Sequence, residues 1–190
     1  MNKVLSDEQL ILKYAKGDLA SFEILYQRHK RALLAYCSRQ FSNHALGEEC
    51  FQEIWLKVIR NRSHYQPRAL FKTYLYRIAQ NHVIDVYRRE NKRNSDCSFD
   101  EQLVGENSTL NSDSVGTREK AAYSAKQLRK AILLLPFEQR DTLLLKLNTG
   151  LNLEQIAVIL DCKKETVKSR LRYATSKLKV LISDSQGENE

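Results

Sequence analysis

The sequence predicts an all-α protein: two small helical domains joined by a flexible linker. Three observations carry this. Glycine and proline are scarce, 6 and 2 in 190 residues, which suits long helices and few tight turns. Apolar residues recur at three- and four-residue spacing through residues 1–92 and again through 121–184, and no segment alternates with the two-residue period of a strand. Between these parts the stretch NSDCSFDEQLVGENSTLNSDSVGT is rich in Ser, Asn, Asp and Gly. It has too little apolar surface to offset its ordering entropy, so residues 93–120 are expected to be the linker.

The expected elements follow in order. Ser6, with Gln9 three residues on, caps a first helix that contacts through Leu10, Ile11 and Tyr14 and ends at Gly17-Asp18. Ser21 begins a second, with Phe22, Leu25, Tyr26, His29, Leu33 and Tyr36 at helical spacing. A third covers about 45–59 and turns Cys50, Phe51, Ile54, Trp55 and Val58 inward. After the break at NRSHYQPR, a long helix runs over about 70–89. In the C-terminal part, a helix near 121–135 ends before Pro136, which opens the next, over about 137–147. Asn148-Thr149-Gly150 stops that one. Asn152 and Gln155 form a capping box for a short helix, and after the turn Asp161-Cys162-Lys163 comes a long basic helix.

A hydrophobic content of 42% is enough for a core. The net charge of +8 favours acidic partners such as nucleic acid, anionic lipid or an acidic protein surface. The N-terminus lacks the apolar core of a signal peptide, and no apolar run approaches the length of a membrane span, so a cytoplasmic protein without membrane insertion is expected. Cys37, Cys50, Cys97 and Cys162 form no CxxC pair and no zinc-ligand spacing; neither a metal nor a cofactor is expected.

Three constellations bear on function. The short helix, tight turn and basic helix at 153–180 have the layout of a helix-turn-helix. A helix fits the major groove, its N-terminal half facing base edges while flanking cations take phosphates. Glu165, Thr166, Lys168, Ser169, Arg170 and Arg172 are the polar set there. On charge alone the helix is equally a solvated basic face; the preceding helix, the small Ala157 at the crossing and the short turn favour DNA.

The second constellation is the window 60–93. It sets Arg60, Arg62, Arg68, Lys72, Arg77, Arg88, Arg89, Lys92 and Arg93 against two acids, Asp85 and Glu90, with aromatic rings interleaved. Cations that track a backbone and rings that stack on bases suit single-stranded nucleic acid. Phe71 and Tyr74 read as core; Tyr65, Tyr76 and Asn81 stay open between core and base contact. The third is a face of carboxylates, amide and leucine formed by Glu49, Gln52, Glu53 and Leu56, next to Trp55. No nucleophile, phosphate loop or metal cluster accompanies it, so a protein-docking face fits better than acid/base chemistry.

These stretches resemble the extracytoplasmic-function class of bacterial RNA polymerase sigma factors. SFEILYQRH resembles the opening of sigma region two, EECFQEIWLKV its polymerase-binding helix, and FKTYLYRIAQNHVIDVYRR its promoter-melting helix. LPFEQRDTLLLKLNTGLNLEQIAVILDCKKETVKSRLRYATSKL resembles region four. The resemblance implies a region-two bundle over 1–92 and a region-four helix-turn-helix domain over 121–184. It implies core RNA polymerase and promoter DNA as partners, an anti-sigma factor, no small-molecule substrate and no enzymatic activity of its own.

It also implies residue roles. Glu49, Gln52, Glu53, Trp55 and Leu56 would meet the clamp helices of the polymerase. Tyr65, Arg68, Lys72, Tyr76, Arg77, Asn81, Arg88 and Arg89 would meet the minus-ten element, with Asn81 at the pocket for a flipped base. Lys164, Thr166, Lys168, Ser169, Arg170, Arg172 and Tyr173 would meet the minus-thirty-five element. The chain departs from the family pattern at Tyr74 (usually Trp), Glu165 (usually Gly) and Tyr173 (often basic). The last two bear on which minus-thirty-five sequence it prefers. Two rival readings are a helix-turn-helix regulator that works without polymerase and a nucleic-acid-processing enzyme that uses the carboxylates.

Overall fold

The structure, a computed structural model, describes residues 4–67, 69–96 and 117–187. Among them there are helices and no strand. The N-terminal unit begins with α1 (Asp7–Ala15), closed by the expected capping box: Gln9 N donates to Ser6 Oγ at 3.3 Å and Ser6 N to Gln9 Oε1 at 3.0 Å. α2 (Leu19–Ser38) starts two residues earlier than the expected Ser21, because Asp18 is the cap and accepts from Ser21 N at 3.3 Å. α3 spans His44–Arg60 and a single 3₁₀ turn spans Arg62–His64.

α4 spans Phe71–Asp96. Its first N–H is capped from another helix, since Phe71 N donates to Glu8 Oε1 at 2.9 Å. Asp7 next to it accepts from Arg28 at 2.8 Å and lies 2.6 Å from His29 Nε2, so α1 clips α2 and the start of α4 together.

The three long helices meet over Leu25, Leu33, Ile54, Val58, Phe71, Leu75 and Val83, none of them more than 1% exposed. Each such side chain contributes roughly 1.5–3 kcal/mol of burial. α3 approaches α2 through Gly47, where an added Cβ would sit 2.7 Å from Ser38 Cα. Only glycine permits that approach.

The C-terminal unit holds α5 (Thr117–Leu133), α6 (Phe137–Thr149), α7 (Leu153–Ile159) and α8 (Lys164–Gly187). Gly150 ends α6 in the left-handed region, at φ 67°, as a C-terminal cap should. Asn152 and Gln155 form the expected second capping box. Asp161, at φ 48°, makes the turn between α7 and α8, a conformation that Asp tolerates better than most residues. α8 packs on α5, α6 and α7 through Val167 and Ala174, both fully buried. Helix occupies both margins of the expected linker, to Asp96 on one side and from Thr117 on the other. The rest of the linker lies outside the described residues.

The two units touch. α6 packs on α2 and α7 on α4, and one apolar cluster runs from Leu10 in α1 to Val167 in α8.

Candidate nucleic-acid and partner-binding surfaces

The acidic face is built by α3. Asn43 caps it by accepting from Ala45 N at 2.9 Å. Its inner stripe is Cys50, Ile54, Trp55 and Val58. One helical face outward stand Glu49, Gln52 and Leu56, exposed, with Glu53 half-buried between them. Trp55 is not part of that face. It is 4% exposed, set edge-on to Phe22 with ring centroids 5.7 Å apart and against Tyr26 at 5.1 Å. Its large apolar area is worth more inside than at a rim; it orients the face from behind. Beside Glu53, Lys57 donates to His82 Nδ1 at 2.9 Å. Burial, helped by the Lys57 charge, holds the His82 pKa below its ordinary value, which keeps the ring a neutral acceptor.

The α4 surface sorts the residues that the sequence leaves open. Arg77, Asn81, Arg88 and Arg89 are exposed, and positions 77, 81 and 88 share one stripe. Tyr65 and Tyr76 are core. Tyr65 is 6% exposed, with its ring near Phe71 and Tyr74 and its hydroxyl donating to Ala69 O at 3.3 Å; burial pushes that hydroxyl up to about 12. Tyr76 is fully buried, edge-on to Tyr36 with centroids 5.6 Å apart. A buried ring has no face to offer a base in this arrangement. Lys72 is half-buried and donates to Thr149 O at 3.1 Å, so it is occupied by the C-terminal unit. Arg68 lies outside the described residues.

α8 presents Glu165, Lys168, Arg172, Thr175 and Lys179 along one outward face. Lys168 donates to Glu165 Oε1 at 3.1 Å. Arg172 lies over the Tyr173 ring, 5.0 Å from its centroid. Arg170 is turned away, paired with Glu138 of α6. Lys164 is paired with Glu154 of α7, and Ser169 Oγ donates back to Glu165 O at 2.8 Å. Thr166 is half-buried near the start of the helix. Of the expected set, Lys168, Arg172 and Tyr173 are therefore the ones displayed outward, while Arg170 and Lys164 brace the helix-turn-helix. Among the described residues no cluster of His, Cys, Asp and Glu could hold a metal ion, and no helix is long and apolar enough to cross a membrane.

The contact between the two units is what the sequence reading missed. Tyr36 of α2 and Gln40, two residues past its end, donate to Asp141 Oδ1 of α6 at 2.6 and 2.8 Å. Phe137 stacks on Tyr87 of α4, with centroids 4.3 Å apart, and the Arg140 guanidinium lies 5.8 Å from each ring. Burial pushes the Asp141 carboxyl up to about 6, against the pull of both hydrogen bonds and of the Arg140 and Arg170 charges. A signal was present: an acid stands in the apolar stripe Phe137, Asp141, Leu144, Leu145.

Comparison with known proteins agrees with this architecture. The family model described as sigma-70 region 2 matches residues 25–93, and that described as sigma-70, region 4 matches residues 131–180. The ECF RNA polymerase sigma factor SigW of Bacillus subtilis is 29% identical over 181 residues, 92% of this chain and 95% of that protein. The ECF RNA polymerase sigma-E factor of Escherichia coli K12 is 27% identical over 177 residues, 90% of this chain and 91% of that protein. Two solved structures share the fold. One is CnrH in complex with the cytosolic domain of CnrY, with a TM-score of 0.67 and 21% identity, covering 94% of this chain and 97% of that one. The other is the sigma factor RpoE in complex with the anti-sigma factor NepR from Bartonella quintana, with a TM-score of 0.69 and 22% identity, covering 85% and 96%. With a sigma-70 region 2 and a sigma-70 region 4 in order along one all-α chain, the protein belongs to the extracytoplasmic-function class of RNA polymerase sigma factors.

Proposed function

We propose that this sigma factor binds core RNA polymerase through Glu49, Gln52, Glu53 and Leu56 of α3, directs it to promoters through α4 and α8, and assists promoter opening. The single observation that carries the reading is the presence of both regions in one chain: a stand-alone helix-turn-helix regulator has no use for the N-terminal unit. Residues 1–92 act as the domain for polymerase and the minus-ten element, 93–120 as the linker, and 121–184 as the domain for the minus-thirty-five element.

The exposed Asn81, flanked on its stripe by Arg77 and Arg88, suits a base taken out of the stack with its phosphates neutralised on either side. Lys168 and Arg172 suit the major groove, and Glu165 would favour a cytosine N4 or repel a close phosphate. The protein is not an enzyme by itself; polymerisation chemistry belongs to the core. It acts in the cytoplasm, where polymerase and chromosome are. An anti-sigma partner is also proposed, by extension from the sigma factor RpoE solved with the anti-sigma factor NepR.

Run-off transcription with purified core polymerase on a genomic library tests the reading. Chain-dependent transcripts with shared upstream elements are expected, and Glu53→Lys should abolish them together with retention on core polymerase. No transcripts and no retention by the unmutated chain would overturn it.

A further inference from the structure

On the acidic face of α3, Glu53 stands four residues before Lys57. A glutamate with a lysine four positions on is the favourable order for an ion pair along a helix. That pair is not made. The Lys57 ammonium donates instead across the helix contact, to His82 Nδ1 of α4 at 2.9 Å. Glu48, just outside the face, does pair, with His44 at 3.5 Å. Among the described residues neither Glu49 nor Glu53 has an ion pair, so the face keeps two open carboxylates.

His82 is built for this role. It is 7% exposed and lies where α4 packs on α3, in a stripe with the buried Ala79, Val83 and Val86. A lysine only donates, so Nδ1 holds the lone pair and the ring proton sits on Nε2. The ring is therefore a neutral acceptor: it fixes the ammonium by one hydrogen bond and uses up no carboxylate. The other charges around the ring are Glu53 on α3 and Asp85 and Arg89 on α4. Of the two acids, Glu53 is the one a single helical turn from Lys57 on the same helix.

Resting on the sigma-factor reading above, we propose that His82 is a positioning residue for polymerase docking: by holding Lys57 Nζ on its Nδ1, it keeps the Glu53 carboxylate unpaired and open to the partner. Without that acceptor Lys57 turns to Glu53, and the face retains one open carboxylate of two. A partner surface of complementary positive charge would then have to displace an ammonium before it could dock.

The test measures the affinity of the labelled full chain for purified core RNA polymerase over a range of salt, with circular dichroism as the check on folding. His82→Leu is apolar, close to histidine in size, and removes the acceptor. It should bind about three- to fivefold more weakly, the range that an exposed ion pair allows, with a shallower salt dependence. Adding Lys57→Met should restore the affinity, because the competing ammonium is gone. His82→Asn, whose Oδ1 falls where Nδ1 stood, should bind like the unmutated chain.

Equal affinity of His82→Leu and the unmutated chain would overturn the proposal. So would a loss that Lys57→Met does not restore, which is what a merely structural histidine gives. Lys57→Met alone should change little; a threefold gain would mean that Lys57 already covers Glu53, and would overturn the proposal too. Loss of helicity in His82→Leu passes the same test to His82→Phe, which keeps a flat ring without the acceptor. The two levels separate cleanly. If the unmutated chain is not retained on core polymerase, or Glu53→Gln does not weaken retention, the docking reading has failed. If Glu53→Gln weakens it while His82→Leu does not, only the role of His82 has failed.

Discussion

Asp141 makes the contact between the two units measurable as a pH dependence of stability. Its carboxyl is raised from 3.8 to about 6 in the folded chain. Two units at 1.36 kcal/mol each amount to about 3 kcal/mol. A carboxyl whose folded pKa is raised contributes stability that is full below about pH 4 and is lost as pH rises through about 6. The groups facing it are Tyr36 on α2 and Gln40 just past that helix, with the charges of Arg140 on α6 and Arg170 on α8.

Other groups titrate nearby with the opposite sign. Asp7, held to about 2 by its hydrogen bond to His29 and by Arg28, loses stability as pH falls below the ordinary carboxylate range. His82, held low by burial and Lys57, loses stability as pH falls through the imidazole range. Comparison with Asp141→Asn cancels both, because the variant keeps an acceptor for Tyr36 and Gln40 but carries no charge. Urea unfolding followed by Trp55 fluorescence and far-ultraviolet circular dichroism gives the difference. The variant should gain about 3 kcal/mol on the unmutated chain between about pH 4 and about pH 7.5, nearly all of it below about pH 7. A difference that does not change with pH would mean a solvated carboxyl and separated units, and the reasoning would be refuted.

Three further outcomes are expected. Gly47→Ala forces α3 off α2 at the 2.7 Å approach to Ser38 and should cost about 1–3 kcal/mol, read as a lower urea midpoint with unchanged slope. Arg172→Ala should weaken binding to minus-thirty-five duplex and reduce the salt slope by about 0.9, the counterion release of one phosphate contact; an unchanged slope counts against that contact. Asn81→Ala should leave polymerase retention intact and lower permanganate reactivity of the minus-ten region, and equal reactivity would remove Asn81 from promoter opening.

The helices, both capping boxes, the helix-turn-helix and the outward face of α3 were legible because they are local. A capping box is two residues three apart, and an amphipathic stripe repeats within a turn. The same locality explains the errors of detail. Asp18 captured the start of α2 that Ser21 was expected to hold, one helical turn away. Rings at helical spacing do not say how completely a stripe is covered, so Tyr65 and Tyr76 stayed undecided, and the family resemblance gave Trp55 to a partner although its spacing turned it inward; packing against Phe22, Tyr26, Tyr36 and Tyr74 decided all three.

Composition and periodicity sufficed for an all-α, two-unit chain with basic surfaces, since burial pattern and charge are properties of the residues themselves. Which charges remain free was decided in three dimensions. Arg170 and Lys164 found carboxylates on α6 and α7, and Lys72 found a backbone carbonyl. The seating of α6 on α2 belongs to the same level. Tyr36 and Asp141 are 105 residues apart, and no local pattern encodes a pair at that separation. It exists because folding brings an acid in an apolar stripe to the two donors that can satisfy it, and a buried carboxyl left without them would be too costly to keep.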